Sequence, residues 1–334
     1  MATTSTKLPS NGTNGHTKSS TSQHGNVGID ENGKKTFIPL ENNPALLTPL
    51  AHRLGLHPSL AFHDLYSFTE PDLIAIVPRP ALALLFVWPC TWGANEWHAE
   101  DVVREREGLS KEAERLGKTE QELLGEVKAG VKGVPVWFRQ DVEHACGLMG
   151  IIHCALNVPA ALMNQLALDT SSGTKPNGEG ATTVGSPILA PDSILSTLRS
   201  ISLQHQPTQS PADVDARAAL ISQSTEIEKL HTEAAISDGG GSNVPALGEE
   251  PGHAFIAFVR DEEGSVWELD GARSGPKLLG KIGQDEDLLS PAALQLGPLP
   301  YIERQAARKE EISMEGGTVV NAVEFSCTVL APSE

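Results

Sequence analysis

Cys146 stands where a polar turn gives way to a small, apolar stretch, and that position bears on what its thiol can do. Leu148, Ile151, Ile152 and Ala155 recur at helical spacing, and Gly147 and Gly150 leave room around the thiol. A helix N-terminus offers unpaired N–H groups and the positive end of the helix dipole. Both favour the thiolate, the nucleophilic form of cysteine. Free cysteine is also among the most buried residues, so a plain core role fits the same position. Gln140, six residues upstream, carries an amide that can donate to a developing oxyanion together with the N–H at the nucleophile. Farther on, residues 252–259 and 265–270 read as two strands joined by an acidic turn ending in Gly264. His253 stands at the start of that hairpin and Asp270 at its end.

Eleven histidines are candidates for the base. His16 and His24 lie in a polar N-terminal stretch, His98 among charged residues, and His205 and His231 in polar helical stretches. His52 and His57 read as surface residues, and His63 has no assignable acidic partner. His144 belongs to the turn. His153, two helical turns beyond Cys146, stands about 10 Å along the helix, too far to take the thiol proton. Only His253 begins an apolar strand whose mate ends in an aspartate. Cys146 is then the nucleophile, His253 the general base and acid, Asp270 the group that orients the imidazole, and Gln140 an oxyanion donor. Cys, His and Asp with a preceding Gln make the inventory of a papain-like thiol hydrolase.

Four blocks carry a closer resemblance. FIPLENNP from Phe37, VPRPALALLF from Val77, QDVEHACGLMGIIHCALN from Gln140 and WELDGARSGP from Trp267 resemble the ubiquitin carboxyl-terminal hydrolase family of cysteine peptidases. The resemblance runs in order from about residue 36 to residue 329, interrupted by insertions. It implies a papain-like α/β (α+β) fold, a central, mostly antiparallel sheet flanked by helices. It implies thiol-dependent hydrolysis at the C-terminal glycine of ubiquitin, releasing small adducts or short peptides, with no metal or organic cofactor. It also implies that residues 236–252 form a crossover loop over Cys146 that excludes bulky folded leaving groups. One departure stands out. In the family the catalytic histidine directly precedes the aromatic-apolar strand, whereas here Ala254 intervenes. Strand side chains alternate, so the offset turns His253 away from Cys146 unless a bulge or a later strand start restores its direction. Two alternatives follow: a catalytically silent ubiquitin-binding module with Ala254 in the catalytic place, or a hydrolase for another modifier such as NEDD8.

The elements that must position these groups are legible in outline. Residues 1–35, almost without apolar side chains, read as a disordered tail, and residues 36–331 as one catalytic domain. Pro44 opens a helix with Leu46, Leu50 and Leu54 on one face and Pro49 in its first turns. The continuous apolar run within 77–92 suits a central strand covered on both faces, with Cys90 as packing. Residues 101–128 read as solvated charged helices, and 134–138 as a strand leading into the nucleophile turn. Residues 169–191 form an insertion loop, after which Asp192 caps a helix. Residues 271–300 carry a loop over 271–289, followed by a charged helix over 301–314 and a last strand over 321–330 with Val323, Phe325, Cys327 and Val329 alternating.

Composition sets the outer bounds. A net charge of −18 over 334 residues argues against nucleic acid or an anionic membrane as partner and is compatible with ubiquitin, whose surface has a basic face. No apolar run reaches the roughly 20 residues of a membrane helix. The four cysteines lack metal-ligand or CxxC spacing and read as reduced thiols. The expectation is a cytoplasmic protein, with the nucleus as a further location, and a monomer.

Overall fold

The computed structural model describes residues 28–29, 35–89, 94–120, 122–123, 133–159, 188–204, 211–237, 253–314 and 325–333. Most of the expected tail, Cys90, Val323, residues 169–187 of the insertion and residues 238–252 of the crossover loop lie outside them, as do His16, His24 and His205.

In chain order the elements are β1 (Gly28–Ile29), β2 (Lys35–Thr36), α1 (Pro44–Leu54), β3 (Leu60–Asp64), α2 (Pro71–Ile74), β4 (Ala83–Pro89), α3 (Ala94–Leu116), α4 (Cys146–Leu156), α5 (Ile194–Gln204), α6 (Pro211–Ser222), α7 (Thr225–Ala235), β5 (His253–Arg260), β6 (Ser265–Leu269), β7 (Lys277–Lys281), α8 (Pro291–Leu296), α9 (Leu299–Met314) and β8 (Ser326–Pro332). Strands β3-β8-β4-β5-β6-β7 make one sheet in that order, with every neighbouring pair antiparallel. The apolar run of β4 sits inside this sheet because both its faces are covered. Ala83, Leu85 and Val87 join the core under α1 and α4, while Leu84, Phe86 and Trp88 join the core under α8 and α9. This is the papain-like arrangement expected of the sequence, a helix that begins at Cys146 packed on an antiparallel sheet.

Helix α4 is buried from Gly147 to Leu156, which explains its apolar character all round. Gly150 permits the close approach to the sheet, since a Cβ there would stand 2.3 Å from Leu85 Cδ1.

Several expectations need correction. Residues 134–138 are buried and extended but form no strand. Their backbone groups are satisfied by side chains instead of a ladder: Val136 N–H donates to Asn157 Oδ1 at 2.7 Å, Asn157 Nδ2 donates to Val136 O at 2.8 Å, and Arg217 donates to Trp137 O at 3.2 Å. Helix α5 is capped by Ser193, whose Oγ accepts from Ser196 N–H at 3.2 Å. Asp192 precedes that cap and takes a positive φ of 56°. The loop expected over 271–289 contains β7. His231 is fully buried, with its ring against Phe37 and Nε2 2.7 Å from Ile38 O.

Candidate active site

Cys146 is the first residue of α4, and the elements around it are pinned to its turn from three sides. From the N-terminal side, Glu143 N–H donates to Lys35 O at 3.0 Å and Phe37 N–H donates to Glu143 O at 2.9 Å. His144 holds a φ of 59° in that turn, and its Nδ1 is 3.4 Å from Thr36 Oγ1, so it is a turn residue as its place suggested. Leu40 closes over Gly147, where a Cβ would stand 3.1 Å from Leu40 Cβ.

The second side is β5. Backbone N–H groups of Phe255 and Gly147 favour the ionised form of the Cys146 thiol. The Phe255 ring reaches to 3.5 Å of where a Gly147 Cβ would be, so the face of β5 carrying Phe255, Ala257 and Val259 is the one turned to α4. Burial raises the thiol pKa above its ordinary value. The two N–H donors oppose that rise, and the negative charge of Asp270 adds to it. At rest Cys146 is therefore a neutral thiol that needs a base.

The third side is the end of β6. Trp137 Nε1–H donates to Asp270 O at 2.9 Å, and Gln140 N–H donates to Gly271 O at 3.0 Å. A Cβ at residue 271 would fall 2.7 Å from Gln140 Cβ and 3.1 Å from Gln140 N, so glycine is what lets the two segments touch. The Asp270 carboxylate is buried, and its Oδ1 accepts Ala272 N–H at 2.8 Å. Behind it the loop is anchored by Arg273, which has no side-chain exposure. Arg273 pairs with Glu268 at 2.5 Å, and with Asp101 and Glu105 of α3 at 2.9 Å each. Helix α3, expected to be merely solvated, thus holds down the loop that follows Asp270.

The structure brings Cys146, Gln140 and Asp270 into one neighbourhood. His253 is exposed, at the first residue of β5. Pairing of β5 with β4 runs without interruption to His253 opposite Pro89, so neither a bulge nor a later strand start is present. Alternation sets His253 on the face of Phe255, the side of α4, and Ala254 on the face of Ile256 and Phe258.

Two residues that spacing alone did not single out hold this site. His153 is fully buried in α4, and its Nε2 accepts Phe138 N–H at 3.1 Å while the ring also bonds Leu269 backbone. Arg273 is the other, readable only as part of a GARSGP loop. Both act on backbone or on distant acids, which leave no local pattern in sequence. Among the described residues no cluster of His, Cys, Asp or Glu could hold a metal ion, and no helix is long and apolar enough to cross a membrane.

The sequence matches the family model for ubiquitin carboxyl-terminal hydrolase, family 1, over residues 37–179 and 187–296. It is 25% identical over 280 residues to the ubiquitin carboxyl-terminal hydrolase YUH1 of Saccharomyces cerevisiae, covering 83% of this chain and 92% of that protein. It is 28% identical over 240 residues to a probable ubiquitin carboxyl-terminal hydrolase of Dictyostelium discoideum, covering 72% of each. A crystal structure of the Trichinella spiralis UCH37 catalytic domain bound to ubiquitin vinyl methyl ester overlaps at a TM-score of 0.49 and 16% identity, over 89% of this chain and 96% of that one. With the family model spanning most of its length around a buried Cys146 helix, the chain belongs to the ubiquitin carboxyl-terminal hydrolase family of cysteine-type hydrolases.

Proposed function

We propose that Cys146 hydrolyses amide, ester or thioester bonds at the C-terminal glycine of ubiquitin. The observation that carries the assignment is the Cys146 thiol at the start of α4, its ionised form favoured by N–H groups of Phe255 and Gly147, beside the locked pair Gln140 and Gly271. The sulfur attacks the glycine carbonyl carbon as His253 takes the thiol proton. The Gln140 amide and the Cys146 N–H donate to the tetrahedral oxygen. Collapse gives a thioester and a leaving group that His253 protonates, and water then releases the ubiquitin carboxylate with His253 again as base. Asp270 orients the imidazole. In the free protein His253 stands at the rim, on the α4 side of the first residue of β5. The proposal has it close onto the thiol when the ubiquitin tail is bound, as catalytic hydrogen bonds tighten in the complex. Residues 36–331 form the catalytic domain, acting as a monomer in the cytoplasm or nucleus. The acidic net charge suits a basic partner.

Steady-state hydrolysis of a fluorogenic amide on the ubiquitin C-terminus tests the assignment. Wild type turns it over, Cys146→Ala abolishes turnover, and His253→Ala and Asp270→Asn lower kcat by about 10²-fold or more. Binding of ubiquitin without turnover by the wild type overturns the hydrolase assignment. The double variant His253→Ala with Ala254→His stays inactive if His253 is the base, and recovery would move the base to position 254. The same amide on NEDD8 measures the choice of modifier, with ubiquitin expected to have the higher kcat/KM.

A further inference from the structure

We propose that His153 is a positioning residue for the thiol chemistry, a neutral imidazole strut that fixes Cys146, Gln140 and Asp270 relative to one another. This rests on the hydrolase assignment above and adds to it a residue that never touches substrate.

The argument begins with where the ring is and what it bonds. His153 projects from α4, the helix that begins at Cys146, and only 1% of it is exposed. Its Nε2 accepts Phe138 N–H at 3.1 Å, so the proton of a neutral ring sits on Nδ1, and the ring also interacts with the Leu269 backbone. Phe138 is two residues before Gln140, and Leu269 is the last residue of β6, next to Asp270. One ring therefore joins the nucleophile helix, the segment of the oxyanion donor and the strand end of the aspartate. Residues 134–139 have no ladder of their own; Gln140 itself is held by Gly271 O, and His153 fixes the backbone two residues before it.

The strut works only while the ring keeps one tautomer. Burial pushes the His153 pKa down to about 4, although the nearby Asp270 charge pulls the other way. Over the neutral range Nε2 stays free to accept. A direct role in proton transfer is excluded by the same geometry, because the ring is engaged by the backbone of Phe138 and Leu269.

The test uses the full chain with His153→Leu and His153→Gln, the second able both to accept and to donate. Kinetics on the ubiquitin C-terminal amide, ubiquitin affinity in a Cys146→Ala background and imidazole 15N NMR of wild type are measured together. His153→Leu is expected to lower kcat about tenfold or more with KM and affinity within about twofold, since small misplacements of reacting groups cost that much. His153→Gln is expected to recover most of the loss, and NMR to show an Nδ1–H ring that does not titrate between pH 7 and 5. A Leu variant within twofold of wild-type kcat, a Gln variant as impaired as Leu, or a ring titrating near the ordinary histidine value each overturns the proposal. If the Leu variant does not fold, the Gln kinetics and the NMR decide. An inactive wild type would instead remove the hydrolase assignment, while the NMR would still report whether the strut exists.

Discussion

At the scale of single residues the site is set by contact distances that leave little freedom. Gly271→Ala would drive a Cβ to 2.7 Å of Gln140 Cβ and 3.1 Å of its backbone N. It is expected to lower kcat by about tenfold or more with little change in ubiquitin affinity, and an unchanged kcat would contradict the locked pair. The free thiol makes a second prediction. Because burial raises its pKa, the thiolate fraction of Cys146 is small at neutrality and grows only as pH rises above the ordinary thiol range. Alkylation of the free protein by iodoacetamide should therefore climb steadily through neutral pH, and a plateau already reached at pH 7 would mean a preformed ion pair. Cys146, Gln140 and Asp270 were singled out from spacing and local motifs, which are short-range signals. His153 was legible only as a helix residue too far away to be the base, since its partners are backbone groups of Phe138 and Leu269. His231 read as polar, but its spacing to Ile227 and Ala235, both buried on α7, was the available sign that it faces inward.

At the scale of elements, side chains replace regular pairing where the site is built. The segment before Cys146 looked like a strand because Val134, Val136, Trp137 and Phe138 are apolar. It is held by Asn157, His153 and Arg217 rather than by a ladder. Periodicity could not show that, whereas it did show the β5–β6 hairpin, where pairing is local. The link between α3 and the loop after Asp270 was also hidden, as Asp101 and Glu105 resemble any solvated acids. Arg273→Leu leaves Glu268, 2% exposed, without its cation, and should cost about 3–5 kcal/mol in chemical denaturation. Adding Glu268→Leu should recover most of that loss, and an equal loss in the double variant would show the pair is not what matters. Gly150→Ala should cost about 1–3 kcal/mol by pressing α4 off Leu85.

At the scale of the whole molecule, the sheet is covered on both faces, and two histidines, His153 and His231, are buried on the α4 side. Burial lowers each pKa to about 4. The unfolded chain, with ordinary histidines near 6.5, takes up protons first as pH falls. Their contribution to stability is therefore complete above about pH 6.5 and is lost progressively toward pH 4. Between pH 7 and pH 5 the two rings should reduce unfolding free energy by about 2 kcal/mol each, and His231→Gln should roughly halve that slope. A flat profile would contradict the burial of neutral rings. The two-faced sheet itself was readable from the unbroken apolar run of β4, but β7 was not, because Lys277, Gly280 and Lys281 give an edge strand no alternating pattern. The central claim, that Cys146 attacks the ubiquitin C-terminus, is tested most directly by labelling with ubiquitin that carries a C-terminal electrophile, followed by mapping of the adduct. One adduct on Cys146, absent from Cys146→Ala and with the buried Cys154 and Cys327 untouched, is the predicted result. Ubiquitin binding with no adduct, or an adduct on another cysteine, would contradict it.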